Sequence, residues 1–166
     1  MRLLLAPLLG LAIATSLSGC IVIQAPTPAQ QSDDGVATQP GSSISCGGDG
    51  ILLNQPGSTY GVTGDCDSIT VSGADITVNA ESVDTLVIRG DRVVVTAGNI
   101  DDLQLAGNDN VIQLARGEDA AIAGDRNSIT GTEFDDVSVN GNDNTIQAER
   151  VGDLTDSGDR NLVSGR

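Results

Sequence analysis

The chain contains no histidine and no lysine, and Tyr60 and Phe134 are its whole supply of aromatic side chains. Without histidine, the side chain that titrates near neutral pH is missing, and with it the commonest general base. No Gly-x-Ser-x-Gly elbow and no phosphate-binding glycine loop occurs, so the usual settings for a serine nucleophile and for nucleotide phosphates are absent. Positive charge is scarce as well: 8 arginines stand against 23 acids, for a formal charge of −15. Such a chain repels a phosphate backbone, which excludes nucleic acid as a partner. Anionic lipid surfaces and acidic polysaccharides are equally unfavourable unless divalent cations bridge, while cationic partners stay open. No enzyme is expected and no catalytic residue is assigned.

What the chain does have is period. Glycine returns every 17 residues at Gly73, Gly90, Gly107, Gly124, Gly141 and Gly158, and its surroundings keep phase. A period this strict makes each unit one coil of a stack, because an insertion within a coil would push its neighbours out of register. The expected fold is all-β: a single-stranded parallel β-helix, or β-solenoid, of about seven coils. Apolar residues recur five positions after the glycine (Val78, Val95, Ile112, Ile129, Ile146, Val163), four before it (Ile69, Leu86, Leu103, Ala120, Val137, Leu154) and two before it (Val71, Ile88, Leu105, Ile122, Val139). Alternation with polar residues gives the strand period of two. A less uniform column, Val83, Ile100, Gly117, Phe134 and Val151, reads as a third inward side or a corner. Three after the glycine, Asn110, Asn127, Asn144 and Asn161 predict an asparagine ladder in which each amide donates to the next. The glycine itself is expected to supply positive φ at a corner. A right-handed coil is expected, since the six-residue subrepeat of left-handed hexapeptide helices is missing.

Two charged columns carry the functional expectations. Asp75, Arg92, Asp109, Arg126, Asp143 and Arg160 alternate without exception. Equivalent residues of neighbouring coils lie about 4.8 Å apart, so one sign would repel itself and this order predicts a continuous ion-pair ladder that controls register. Gly-Asn-Asp-Asn at 107 and 141 alternates with Gly-Asp-Arg-Asn at 124 and 158, making the true repeat a pair of coils. A second edge lacks compensation: Asp84, Asp101 with Asp102, Glu118 with Asp119, Asp135 with Asp136, and Asp153. Carboxylates at coil spacing suit a hard cation with oxygen ligands, so calcium is the candidate metal although no cofactor is required; the plain alternative is a solvated acidic edge that blocks side-by-side aggregation. Pectin-degrading parallel β-helices use aspartates, calcium and an arginine, but their coils are longer and carry loops that wall a cleft, for which a strict 17-residue period leaves no room.

The amino-terminal third reads differently. Arg2, an apolar run from Leu3 to Ile13 and then Leu17-Ser18-Gly19-Cys20 make a secretory signal over residues 1–19. Leu-Ser-Gly-Cys resembles the bacterial lipobox, which implies lipidation of Cys20 and membrane attachment through that lipid. By the same resemblance, Ile21 rather than Asp after the cysteine implies an outer-membrane destination in a Gram-negative host; otherwise the protein would sit on the outer face of the plasma membrane. Cleavage would remove one arginine and take the charge to −16. Residues 20–45, with Pro26, Pro28 and Pro40 among glutamine, serine and alanine, read as a tether. Such a segment has a root-mean-square reach of about 25–30 Å. The solenoid is placed at residues 46–166. Cys46 and Cys66 are expected to form a disulfide that protects the first coil in an oxidising compartment, with no Cys-x-x-Cys to suggest a redox role.

Cys46, the Gly64-Asp65-Cys66 step, Gly73 with Ile76 to Val78, and the Gly-x-x-Asn-x-Ile units at 107, 124 and 141 resemble the secreted bacterial family known as domain of unknown function 3060. The resemblance spans about residues 46 to 166 and implies an exported, often lipid-anchored repeat domain with no catalytic or binding residues to carry over. Ile76 and Val93 stand where the family pattern has asparagine. At the far end, Asp156 interrupts the column of Val71 to Val139. A charge there either discourages further stacking or marks a surface that docks a partner or a second copy, so an end-to-end homodimer is among the expectations. The expected role is a lipid-anchored cell-envelope module, structural or protein-binding, with a calcium-dependent binder of glycans or other envelope components as the alternative.

Overall fold

A computed structural model describes residues 41 and 43–165. The expected signal, Cys20 and most of the tether fall outside the described residues. Twelve strands form one parallel sheet that winds into a β-solenoid: β1 (Ser43–Ser45), β2 (Gly50–Leu53), β3 (Thr59–Thr63), β4 (Asp65–Val71), β5 (Thr77–Ile88), β6 (Val94–Leu105), β7 (Val111–Ile122), β8 (Ser128–Thr130), β9 (Glu133–Val139), β10 (Thr145–Gln147), β11 (Arg150–Asp156) and β12 (Leu162–Ser164). There is no helix among the described residues. Strand pairing begins at Ser43, inside the segment read as tether.

The 12-residue strands β5, β6 and β7 are each most of a coil. Val, Ile and Leu hold most of their inward positions, where apolar side chains pack against those of the neighbouring coils. Register between neighbours is a constant 17 residues, as in Val95↔Ile112 and Leu103↔Ala120. Pairing lapses at Asp84 and Asp101, between Val83↔Ile100 and Thr85↔Asp102, where the strand turns a corner. The first coils depart from the period. Ser43 pairs with Gly61 and Thr59 with Thr77, an offset of 18, whereas Cys66 pairs with Val83 at 17. The extra residue lies beside Gly64, whose φ of 84° is left-handed and whose added Cβ would sit 3.0 Å from the Cys46 carbonyl oxygen. Cys46 and Cys66 form the disulfide here, with Cα atoms 5.1 Å apart. Cys66 is buried as the first member of the column that continues as Val83 and Ile100, so the cross-link plugs the N-terminal end of the core.

All the expected apolar columns face inward, and one further column joins them: Ala97 and Leu114 are buried, with Ala80 and Ala148 partly so. This column explains the irregular one beside it. Gly117 stands where neighbours carry Val or Ile, and a Cβ on it would lie 2.7 Å from the Phe134 ring and 3.4 Å from Leu114. A Cβ on Gly131 would meet the same ring at 3.0 Å and Leu114 at 3.2 Å. Two glycines thus vacate the volume that Phe134 and Leu114 fill. Size is exchanged between neighbouring positions while core volume is kept, as close packing demands.

Candidate functional site

The glycine corner has a different cause from the one its sequence suggests. Positive φ falls two residues later, at Asp75, Arg92, Asp109, Arg126, Asp143 and Arg160, with values of 54° to 58°. None of the six periodic glycines is left-handed. They are glycine because the coils nearly touch there: a Cβ on Gly90, Gly107, Gly124, Gly141 or Gly158 would lie 1.8–2.0 Å from the carbonyl oxygen of the glycine one coil below. Aspartate tolerates the left-handed region and arginine has no special aptitude for it, so arginine at alternate coils calls for a compensating interaction.

That interaction is a set of pairs and not the continuous ladder expected from alternation. Arg92 donates from Nε and Nη2 to the two carboxylate oxygens of Asp75 at 2.7 and 2.9 Å. Arg126 grips Asp109 at 2.8 Å through both nitrogens, and Arg160 grips Asp143 at 2.6 Å. Each guanidinium forks to the coil below, and the Asp above acts on it only through its field. The bidentate hydrogen bonds hold Asp75, Asp109 and Asp143 below the ordinary aspartate range, slight desolvation opposing and the charge of the arginine assisting. All six side chains are at the surface, where solvent screens their attraction.

Beside the pairs runs a second ladder, which the alternating tetrapeptides signal. Asn108 donates from its backbone N to Asp91 Oδ1 at 2.8 Å and from Nδ2 to the same oxygen at 3.1 Å. Asp125 N donates to Asn108 Oδ1 at 2.9 Å, Asn142 N to Asp125 Oδ1 at 2.7 Å, and Asp159 N to Asn142 Oδ1 at 2.9 Å. Behind it lies the buried asparagine ladder, wired to the backbone and not amide to amide. Asn127 N donates to Asn144 Oδ1 at 2.8 Å, and Asn144 Nδ2 donates to the Gly124 carbonyl at 2.9 Å. Asn127 and Asn161 reach Gly107 and Gly141 in the same way. The ladder starts at Asn110, whose Oδ1 accepts from Val93 N at 2.7 Å while its Nδ2 is buried without a hydrogen-bond partner. Three parallel ladders at one corner satisfy polar groups that the tight glycine approach would otherwise orphan.

The acidic edge resolves into two columns. Asp84, Asp101, Glu118 and Asp135 stand at the bend, all exposed. Asp102, Asp119, Asp136 and Asp153 pair in register just past the bend, on the same strands, and face the next side of the prism. They rim an open groove of ≈ 690 Å³ whose floor includes Gln104, Ala121, Ser138, Ala106 and Ala123, with Arg89 at its first coil. None of the ion pairs among the described residues involves either column. Among the described residues, no three His, Cys, Asp or Glu side chains gather as a metal-binding group. At a further corner Arg150 pairs with Glu133 through Nη1, a pair that is hard to read from the sequence because from β5 onward its column, Ser82, Asn99, Arg116, Glu133 and Arg150, is charged only in its last three coils.

These columns of backbone-wired corners have a counterpart among known sequences. The profile of the family described as Protein of unknown function (DUF3060) matches residues 57–96 and 122–166, just over half of the chain. The chain belongs to this family. No curated protein and no solved structure matches it. The two DUF3060 segments flank a stretch, 97–121, that carries the same glycine, asparagine and apolar columns, together with the Leu114 and Gly117 exchange that departs from the even pattern.

Proposed function

We propose that this DUF3060 protein is a lipid-anchored module of the bacterial cell envelope, in which a tether from Cys20 presents a rigid acidic rod for structural or protein-binding duty. The observation that carries the reading is the constant 17-residue register from β5 onward. It leaves no loops to wall a deep cleft, so what the molecule offers a partner is an open face, shallowly grooved, of side chains repeated at coil spacing. The lipobox-like Leu-Ser-Gly-Cys supplies the address.

Two measurements on the full chain test the proposal. Labelling with an alkyne fatty acid should mark the wild type and fail on Cys20→Ser, with the variant leaving the membrane fraction. Retention of label and membrane association by Cys20→Ser would remove the anchor from the reading. In cells, a photo-crosslinking side chain at Gln104 or Ser138, on the groove face, should trap a discrete adduct that one at Gln113 does not. Calcium is the second reading, favoured by the register of Asp102, Asp119, Asp136 and Asp153 without cationic partners. Calorimetry with calcium decides it: saturable heat lost in Asp119→Asn would put a calcium-dependent binder of glycans or envelope components first.

A further inference from the structure

Between its ends the rod closes every coil above and below. At the C-terminal end β11 pairs only with β9 and β12 only with β10, leaving their outer edges unpaired among the described residues. Apolar surface accompanies the edge. Leu154 is 47% exposed, although its equivalents Leu103, Ala120 and Val137 are buried. A parallel edge of this kind is a template for another strand.

Asp156 interrupts that template. It pairs in register with Val139, in the column where Val71, Ile88, Leu105 and Ile122 are all buried. Its Oδ1 accepts from Gly158 N at 3.0 Å and from Asn161 Nδ2 at 2.8 Å, so the side chain is held by its own coil and needs nothing from a next one. Among the described residues no arginine pairs with it, since Arg150 is taken by Glu133 and Arg160 by Asp143. A coil laid on this end would enclose the carboxylate in an apolar column without a cation, and an unpaired charge is among the costliest groups to bury.

We propose that Asp156 is a stacking stop that keeps the C-terminal coil from pairing with a second copy of this chain. A second copy is the occupant that fits. The outer edges of β1 and β2 are also unpaired among the described residues and belong to the same parallel sheet, so head-to-tail addition would continue the winding. Such a contact is heterologous and runs on into a filament, which gives the stop its value.

Sedimentation velocity on the full chain tests this, with far-UV circular dichroism on each variant. Asp156→Val, which restores the column, should self-associate at a concentration at least about tenfold below the wild type. Asp156→Asn keeps both acceptor bonds and loses the charge, and should shift the same way by a smaller factor. Moving the charge one inward position away, Asp156→Val with Leu154→Asp, should return the wild-type behaviour. Val and Asn variants that sediment as the wild type with unchanged strand signal would overturn the proposal. So would a double variant that associates as strongly as Asp156→Val, because the contact would then lie elsewhere. Should the Val variant lose its strand signal, the Asn variant alone decides.

Discussion

Replacing Gly124 by alanine tests whether close approach or backbone conformation fixes the glycine column. The new Cβ would sit 1.9 Å from the Gly107 carbonyl oxygen, and ordinary contact begins at 3.4 Å, so the coils must part locally by the 1.5 Å difference. The obstacle is backbone on both sides, which cannot swing away as a side chain would. Parting the coils breaks the bond from Asn127 Nδ2 to the Gly107 carbonyl, now 3.0 Å, and strains the one from Asn110 N to Asn127 Oδ1, now 2.9 Å. Each buried group left unsatisfied costs about 1–3 kcal/mol and forced overpacking about 1–3 kcal/mol more. With both groups of the broken bond left unsatisfied, the expected loss is about 3–9 kcal/mol, a large share of the roughly 5–15 kcal/mol typical of a domain. Gly61→Ala is the control. Its Cβ would find only Ser43 Oγ, at 3.8 Å, and its φ is not left-handed, so its effect should stay within about 1 kcal/mol.

Urea titration followed by two probes reads the result. Circular dichroism reports all coils, and tyrosine fluorescence reports Tyr60 alone, in β3. A weakened interface in a stack uncouples the units on either side, so Gly124→Ala should lose part of its dichroism before the Tyr60 signal moves. Gly124→Asn separates the two explanations, because asparagine accepts positive φ and still carries a Cβ. Close approach predicts that it fails as badly as alanine. A Gly124→Asn protein with wild-type stability, or a Gly124→Ala loss under roughly 0.5 kcal/mol, would refute the reasoning.

Phe134→Ala should cost about 3–5 kcal/mol by chemical denaturation; Gly117→Val should also destabilise, and Phe134→Val should rescue part of that loss, since the two positions share one volume. Asn144→Ala removes the acceptor of Asn127 N and the donor to Gly124 O, so denaturation should show about 1–3 kcal/mol for each orphaned group. Asp75, Asp109 and Asp143 have pKa values depressed below 3.8, so the stability they contribute is present above pH 3.8 and is lost as pH falls through the lowered values. A triple Asp→Asn variant at these positions should show a flatter fall of melting temperature below pH 4 than the wild type, and an equal slope would deny the pairs that role. Reduction of the Cys46–Cys66 bridge, which spans 20 residues, should lower stability by about 3 kcal/mol in thermal melts with and without reductant.

The fold was legible because a stacked coil repeats its environment. Val95, Ile112 and Ile129 meet the same neighbours one coil apart, and the same chemistry returns at the same interval. What was not legible is what repetition cannot distinguish. A glycine that recurs for positive φ and one that recurs for close approach leave the same letter, and only the placement of the left-handed residues two positions on separates them. The Ala97 and Leu114 column escaped notice because Ala80, Ala97, Leu114, Gly131 and Ala148 vary too much in size to look like a core. The acidic edge appeared as one ridge because neighbouring residues were read together; the bend at Asp101 sends that column and the Asp102 column to different sides of the prism. Cys66 and Asp156 stand out for the opposite reason, as breaks in columns whose regular members are apolar.

The two-coil repeat follows from the corner alone. The carboxylates of Asp91 and Asp125 accept from the coil above and have nothing to donate, and Asp159 closes the ladder by donating from its backbone N to Asn142 Oδ1, whereas Asn108 and Asn142 donate downward through Nδ2 and accept upward through Oδ1. Aspartate on aspartate would face two acceptors with no donor between them, so each carboxylate in this ladder needs an amide next. The neighbouring column is set in antiphase. Asp91, Asp125 and Asp159 share their coils with Arg92, Arg126 and Arg160, and Asn108 and Asn142 share theirs with Asp109 and Asp143. Successive corners are therefore neutral and singly negative. The opposite phase would alternate a bare cation with a doubled anion. A slip of one coil would set arginine over arginine or aspartate over aspartate in the charged column, and aspartate over aspartate or asparagine over asparagine in its neighbour, while the apolar columns, which have a one-coil period, would scarcely register the error. Hydrophobic burial holds the coils together without telling neighbours apart, and the paired charges supply the distinction at a surface where each contributes little to stability.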